Sequence, residues 1–321
     1  MAVMRLGYAH VRVTDLAEAK DHYANTMGLY ETLSEGNKVY YKAWDEWDHH
    51  SVVLEEGGVG LVKYGWKVQY SSDIDEIEKK AQTFGNTVER MSKGENPEIG
   101  DGIRFTTPSD HVFEVYHEAT LIGTEVGTHN PDAFPRHLVG VGVPALDHSL
   151  ITAEDPGMMD RFLTDVFGFY ATERVQTSLD DDADIIATWM TNSTQIHQLA
   201  VLAGPQGKLH HFAFRLGDWT EVGRAADLFS MDDVPTDVGP TRHGITRGQT
   251  VYFFDPSGNR NEVFAGGYLA YPDRPMNVWT PDALGKGVFS HARELTDAFT
   301  SALTCSTPPS RGRRPTTRPP P

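Results

Sequence analysis

The feature that most constrains this chain is that it repeats itself. Gly7 to Leu33 ("GYAHVRVTDLAEAKDHYANTMGLYETL") parallels Leu146 to Thr172 ("LDHSLITAEDPGMMDRFLTDVFGFYAT"). Each reads as a short strand with one histidine, then an amphipathic helix, then a glycine and an aromatic. Ile103 to Tyr116 ("IRFTTPSDHVFEVY") parallels Val251 to Phe264 ("VYFFDPSGNRNEVF"); Pro108 and Pro256 differ by 148 positions, as do Glu114 and Glu262. Strand-like runs follow the first helix of each half, "KVYYKAW" and "SVVLEE" in one, "IIATWM" and "IHQLAVL" in the other. A second helix follows, "DIDEIEKKAQTFG" or "WTEVGRAADLFS". The pattern predicts an α+β fold: two domains, each of two βαβββ modules, with mixed sheets curled around a cleft. Pro and Gly break it near "NPDAFPRHLVGVGVPA". We therefore expect a first module pair over 1–135, a second over 136–270, and a helical segment over 271–304 that closes the pocket. Residues 305–321, with their six prolines, four arginines and scarcely any apolar side chain, are expected to be a disordered tail.

Composition narrows the function classes. A hydrophobic content of 39% supports a real core, and no run approaches the length of a membrane span. The start of the chain has no signal-like apolar region, and a single cysteine rules out an internal disulfide framework; a cytoplasmic protein is expected. The formal net charge is −17, and the four tail arginines leave the remainder nearer −21. Such a body repels nucleic acid and anionic membranes. Fourteen histidines direct attention to a metal or acid–base site.

The densest motif is "GPTRHGITRGQTVYFFDPSGNRNEVF", containing His243, Tyr252 and Glu262. "DPSG" is a tight turn, in which Pro fixes φ and Gly supplies a positive φ, so the flanking runs form a hairpin. A carboxylate in so aromatic a strand needs a cation or a hydrogen-bond partner. In "ALDHSLI", Leu146, His148 and Leu150 share a face. In "KLHHFAFRL", alternation puts His210 with Phe212, Phe214 and Leu216 on an apolar face that packs under a helix. His211 goes with Ala213 and Arg215 on a face suited to a cleft. His148, His211 and Glu262 make a set of two histidines and one carboxylate, an arrangement diagnostic of non-haem Fe(II) oxygen chemistry. A closed zinc site more often uses four ligands, cysteine among them.

The run from His243 to Glu262, with "RLGYAH", "YYKAW", "KLHHFAF", "GPTRHG" and "WTPDALGKGVF", resembles the extradiol ring-cleaving dioxygenases of the vicinal oxygen chelate superfamily. The likeness spans roughly residues 1–304 and is strongest to the branch that cleaves catechol. It implies iron ligands at His148, His211 and Glu262, and an acid–base histidine at His197. His243 and Tyr252 would hydrogen-bond the diol, and Trp189, Leu202, Ile245, Thr246 and Phe299 would line the ring pocket. It further implies Fe(II) as cofactor, O2 as co-substrate, catechol or a small alkyl catechol as substrate, a 2-hydroxymuconate-semialdehyde-type product, and a homotetramer. The tail and the acidic loop "SLDDDADI" depart from the family pattern without touching a ligand.

The first half serves as a control. His10 is expected to match His148, Glu114 to match Glu262 and Trp66 to match His211, which leaves two ligands of three and a metal-free replica. His49 and His50, beside Asp48, are expected on a solvated turn. Competing readings are a 2,3-dihydroxybiphenyl- or homoprotocatechuate-type enzyme, the latter using Mn(II). Further off stand a glyoxalase-like isomerase with ligands from both halves and a metal-free binding protein of the same fold.

Overall fold

A computed structural model of the chain describes residues 3–301 and 303–304. The expected tail, 305–321, lies outside the described residues. The first half supplies β1 (Val3–Val13), β2 (Tyr30–Glu35), β3 (Lys38–Lys42), β4 (Val52–Glu56), β5 (Gly60–Val68), β6 (Val88–Met91), β7 (Gly102–Thr106) and β8 (Val112–Tyr116). They form one sheet in the order β2-β3-β4-β1-β5-β8-β7-β6. The second half supplies β9 (Leu146–Ala153), β10 (Tyr170–Gln176), β11 (Ile185–Thr191), β12 (Leu199–Ala203), β13 (Lys208–Arg215), β14 (Thr236–Arg242), β15 (Gly248–Phe254), β16 (Arg260–Gly266) and β17 (Asn277–Trp279). Their order is β14-β15-β16-β13-β9-β12-β11-β10-β17. Without β17 the two orders coincide strand for strand, which is the α+β architecture the repeats predict.

The helices are placed by their caps. Asp15 accepts from the N–H groups of Ala17 and Glu18 to start α1 (Leu16–Asp21), and Asp155 accepts from Met158 N–H, with Pro156 at the first position, to start α3 (Pro156–Phe162). Both helices run on into a π-helical turn, His22–Thr26 and Leu163–Phe167, so the repeat extends to an irregularity. The second helix of each half is α2 (Ser71–Phe84) or α4 (Trp219–Met231). Beyond β17 the chain makes a 3-10 turn (Pro281–Ala283) and two short α-helices, α5 (Leu284–Val288) and α6 (Asp297–Ser301), so residues 271–304 hold a strand as well as helices.

The halves share one core. Trp66 of β5 is fully buried, with ring centroids 5.7 Å from Phe167 and 5.5 Å from Phe169, and Phe162 of α3 meets Phe84 and Phe105 of the first half at 5.2 and 5.9 Å. The tight turns reciprocate. Asp255 of "DPSG" accepts from Tyr23 Oη at 3.0 Å, and Ser257 Oγ accepts from Thr14 N–H at 2.9 Å. In return Pro108 O accepts from Gln206 Nε2 at 2.7 Å. Gly258 takes φ +97°, as the turn requires.

Strand register corrects the alignment of the repeats. Ala213 pairs with His148 on one side and Glu262 on the other; Gly65 pairs with Tyr8 and Glu114. His211 pairs with Leu150 where Lys63 pairs with His10. Tyr8, Lys63 and Glu114 therefore stand at the places of His148, His211 and Glu262, and Trp66 faces the core. The expected match of His10 to His148 is two residues out and that of Trp66 to His211 three, because matching by residue type ignored the strand pairing. Glu114 is fully buried and accepts from Tyr8 Oη, from Lys63 Nζ at 2.9 Å, from Asn96 Nδ2 at 2.9 Å and from Arg104 Nε at 2.6 Å. An ammonium group thus satisfies this carboxylate. His49 and His50 are also corrected: both are buried, and Asp48 is held by Lys67 at 2.7 Å and Arg5 at 2.5 Å.

Candidate active site

The strand order β15-β16-β13-β9 brings together side chains far apart in sequence. Because Ala213 lies between Glu262 and His148 and carries only a methyl, their side chains converge above it. His211 joins them through a β-bulge: the pairing of β13 with β9 runs from Leu209 to His211 and skips His210. The ligand-type atoms of His148, His211 and Glu262 all lie within 4.8 Å of one another, and all three residues are buried.

The bulge also overturns one expectation. Leu209, Phe212 and Phe214 face the core, whereas His210 and His211 both line the cavity. Strict alternation would send two neighbours to opposite faces, but the extra residue of a bulge lets both point one way. His210 Nδ1 lies 2.7 Å from His211 Nδ1, and its Nε2 lies 3.0 Å from the Phe299 carbonyl. It lines the cavity and at the same time packs against Phe299 of α6, with ring centroids 4.8 Å apart, so the expectation fails on the face it occupies and not on its packing.

Glu262 is fully buried. Its Oε2 lies 3.1 Å from His148 Nε2 and 3.0 Å from His211 Nε2, and its Oε1 accepts from Thr250 Oγ1 at 2.5 Å. Burial alone would raise its carboxyl, but the hydrogen bonds from His148 and His211 hold it well below the usual range. Burial also pulls His148 down, yet Asp147 and Glu262 push it up to about 9; burial takes His211 down to about 4. A proton on His148 and a divalent cation answer the same negative field. The outer nitrogens complete the picture: His148 Nδ1 lies 2.7 Å from Asp147 Oδ2, and His211 Nδ1 faces His210. With N–H at both Nδ1 positions, a divalent cation would take the place of the Nε2 protons that now bridge to Glu262, and would meet two Nε2 lone pairs and a carboxylate oxygen. That donor set fits a divalent metal.

A cavity of about 260 Å³ opens from these atoms. Every residue expected at the site lines it: His148, His211 and Glu262; His197, His243 and Tyr252; Trp189, Leu202, Ile245, Thr246 and Phe299. His243 Nε2 lies 3.0 Å from Tyr252 Oη, and its Nδ1 is hydrogen-bonded to the Val288 carbonyl. Burial and the Glu262 charge push the Tyr252 phenol well up, so it keeps its proton. The His197 ring lies 4.0 Å from that of His148, and its Nδ1 has no hydrogen-bond partner among the described residues. Burial, then the neighbouring His148, holds it well below the usual imidazole value. The remaining lining is apolar apart from Thr300 and His210 and includes Val175, Ile186, Leu284 and Val288, which sequence reading missed. The last two are the first and last residues of α5, a helix too short to show a periodic pattern. Asp147 was missed too, although a carboxylate adjoining a ligand-type histidine is a readable signal.

Comparison with known proteins places this geometry. Residues 145–263 match the family model "Glyoxalase/Bleomycin resistance protein/Dioxygenase superfamily", and residues 63–120 match "Catechol 2,3-dioxygenase-like N-terminal domain". The chain is 41% identical over 306 residues to a metapyrocatechase of Pseudomonas sp. (strain CF600), covering 94% of this chain and 99% of the relative. It is 27% identical over 302 residues to a manganese-dependent 2,3-dihydroxybiphenyl 1,2-dioxygenase of Geobacillus genomosp. 3, covering 91% and 95%. Among solved structures, the 2,3-dioxygenase LapB of Pseudomonas sp. KL28 is similar with a TM-score of 0.84 at 40% identity, covering 88% of this chain and 99% of that one.

Proposed function

We propose a function from one premise: the chain belongs to the metapyrocatechase family of extradiol dioxygenases. It is an oxidoreductase that cleaves catechols outside the diol. The observation that carries the reading is the convergence of His148, His211 and Glu262 within 4.8 Å at the wall of an apolar cavity. We assign Fe(II) to the three residues, with O2 as co-substrate and catechol or a small alkyl catechol as substrate. Held by His148, His211 and Glu262, the metal would supply Lewis-acid activation of the diol and redox chemistry toward O2.

The chain's own residues prepare that encounter. The apolar walls exclude water and hold the ring flat. Tyr252 keeps its proton and donates it to Nε2 of His243, whose Nδ1–H is tied to the Val288 carbonyl, which leaves the phenol oxygen to accept from a diol hydroxyl. The pair orients one diol oxygen. His197, neutral at rest, takes a diol proton at its free nitrogen and returns it as the ring opens. Among the described residues no lysine or arginine lines the cavity, which favours an uncharged ring over the acid-bearing ring of a homoprotocatechuate-type substrate. A 2,3-dihydroxybiphenyl-type substrate remains the second reading, on the strength of the same apolar lining. We further assign a cytoplasmic homotetramer; no helix among the described residues is long and apolar enough to cross a membrane.

The test is aerobic addition of catechol to protein reconstituted with Fe(II), watching for the yellow ring-fission product. Colour without metal, or undiminished after Glu262→Ala, would overturn the site. His197→Phe should lower kcat by about 10²-fold or more while metal content stays the same; full turnover in that variant would remove the proton role.

A further inference from the structure

Glu173 is fully buried on β10, close behind the cavity wall, and takes no part in the chemistry above. Its carboxylate accepts from three directions: Thr246 N–H at 2.7 Å, Tyr268 Oη at 2.9 Å and Trp279 Nε1 at 2.5 Å. The donors come from the loop after His243, the segment following β16, and β17. What they hold in place is strained. Thr246 and Arg247 both take positive φ, 63° and 60°, and a β-branched residue rarely adopts that conformation unless its surroundings impose it. Ile245 and Thr246 line the cavity, and Ile245 packs with Val175 and Ala187, with Trp279 against the same cluster.

The internal repeat supplies the control. Glu173 pairs with Trp189 where, in the first half, Leu33 pairs with Tyr40, after the same irregularity in each strand pair. A leucine therefore serves at this position of the fold, and the repeat has no need of a carboxylate there. A buried acid group needs another reason, and its donors point to the cavity wall.

We propose that Glu173 is a positioning residue that fixes the Ile245–Thr246 wall against the ring of the bound diol and so sets which ring substituents are accepted. This rests on the catechol-cleaving reading. A carboxylate suits the task because both oxygens only accept, matching two N–H donors of fixed direction and one rotatable hydroxyl. Glutamine in its place would turn an amide N–H₂ toward one of those donors.

The experiment compares unaltered Fe(II)-loaded protein with Glu173→Gln on catechol, 3-methylcatechol and 4-methylcatechol, alongside amide hydrogen exchange. We expect KM for catechol to rise about tenfold with kcat within about threefold, and the preference among the three rings to shrink about fivefold. Exchange at residues 245–247 should quicken while bound metal stays constant. Trp279→Phe removes one donor but keeps an aromatic ring; it should move KM and the preference the same way by about threefold, and it decides the matter if Glu173→Gln does not fold. Arg247→Gly, which relaxes one strained residue, should recover part of the loss in the Glu173→Gln background. Lowered thermal stability with an unchanged KM and preference would reduce Glu173 to a structural role and overturn the proposal. Absence of ring fission by the unaltered protein would instead sink the catechol reading, and the exchange measurement would still report on the wall.

Discussion

A single carboxylate, Glu262, shows how this site is made to want a cation. It sits in an aromatic strand with no exposure, and two imidazole nitrogens converge on one of its oxygens at 3.0–3.1 Å. The orientation of those imidazoles is set from outside, by Asp147 on His148 and by His210 on His211. Asp147→Asn should therefore weaken metal binding about 10- to 100-fold without unfolding the protein, measured by competition with a chromophoric chelator. An unchanged affinity would mean that His148 is oriented by packing alone. At this scale much was legible: His148, His211, Glu262, His197, His243 and Tyr252 all line one cavity as the sequence led us to expect. The error was His210. Its place depends on a bulge, and a one-residue insertion in a ladder leaves no mark on composition or periodicity.

Among elements, the instructive comparison is between β5 and β13, which occupy equal places in their sheets. In β13 the residue facing the acid is His211; in β5 it is Lys63, whose ammonium lies 2.9 Å from the buried Glu114. The fold thus keeps an acid at the same place in both halves and balances it in two ways. Lys63→Met should destabilise the protein by about 3 kcal/mol in urea unfolding, because it strips the closest ammonium from a fully buried carboxylate. Adding Glu114→Gln should recover a large part of that loss. A Lys63→Met protein as stable as the original would show that Arg104, Asn96 and Tyr8 suffice. The sequence revealed the paired acids by their common spacing but misjudged their partners. Each pair of helix caps carries the offset of the strands beside it, Asp15 to Asp155 like Tyr8 to His148 and Tyr70 to Asp218 like Lys63 to His211, so matching residues by type missed a register that the caps mark.

For the whole molecule, the shared core and the buried histidines set how it responds to acid. Burial holds His50 down to about 3 and His111 down to about 4. The unfolded chain binds protons at these sites below its ordinary value of about 6.5, while the folded chain does not until pH 3 to 4. Stability is therefore full above about pH 6.5 and falls as the pH drops from there toward 4. The loss from the two sites is about 3 kcal/mol per pH unit in the lower part of that window. Urea midpoints at pH 7, 6 and 5 should show this decline, accompanied by proton uptake on unfolding to which His10, also held down to about 3 by burial, contributes; a flat profile would contradict the burial argument. What the sequence by itself determined is the duplicated α+β plan, the hairpin turns and the identity of the residues around the cavity, because spacing and side-chain type are local properties of a chain. What only the tertiary structure decided is which neighbours share a face at the bulge, what balances Glu114, and how Glu173 reaches Thr246, Tyr268 and Trp279 at once. Those depend on the register between strands distant in sequence, and register is fixed by the packing of the whole sheet.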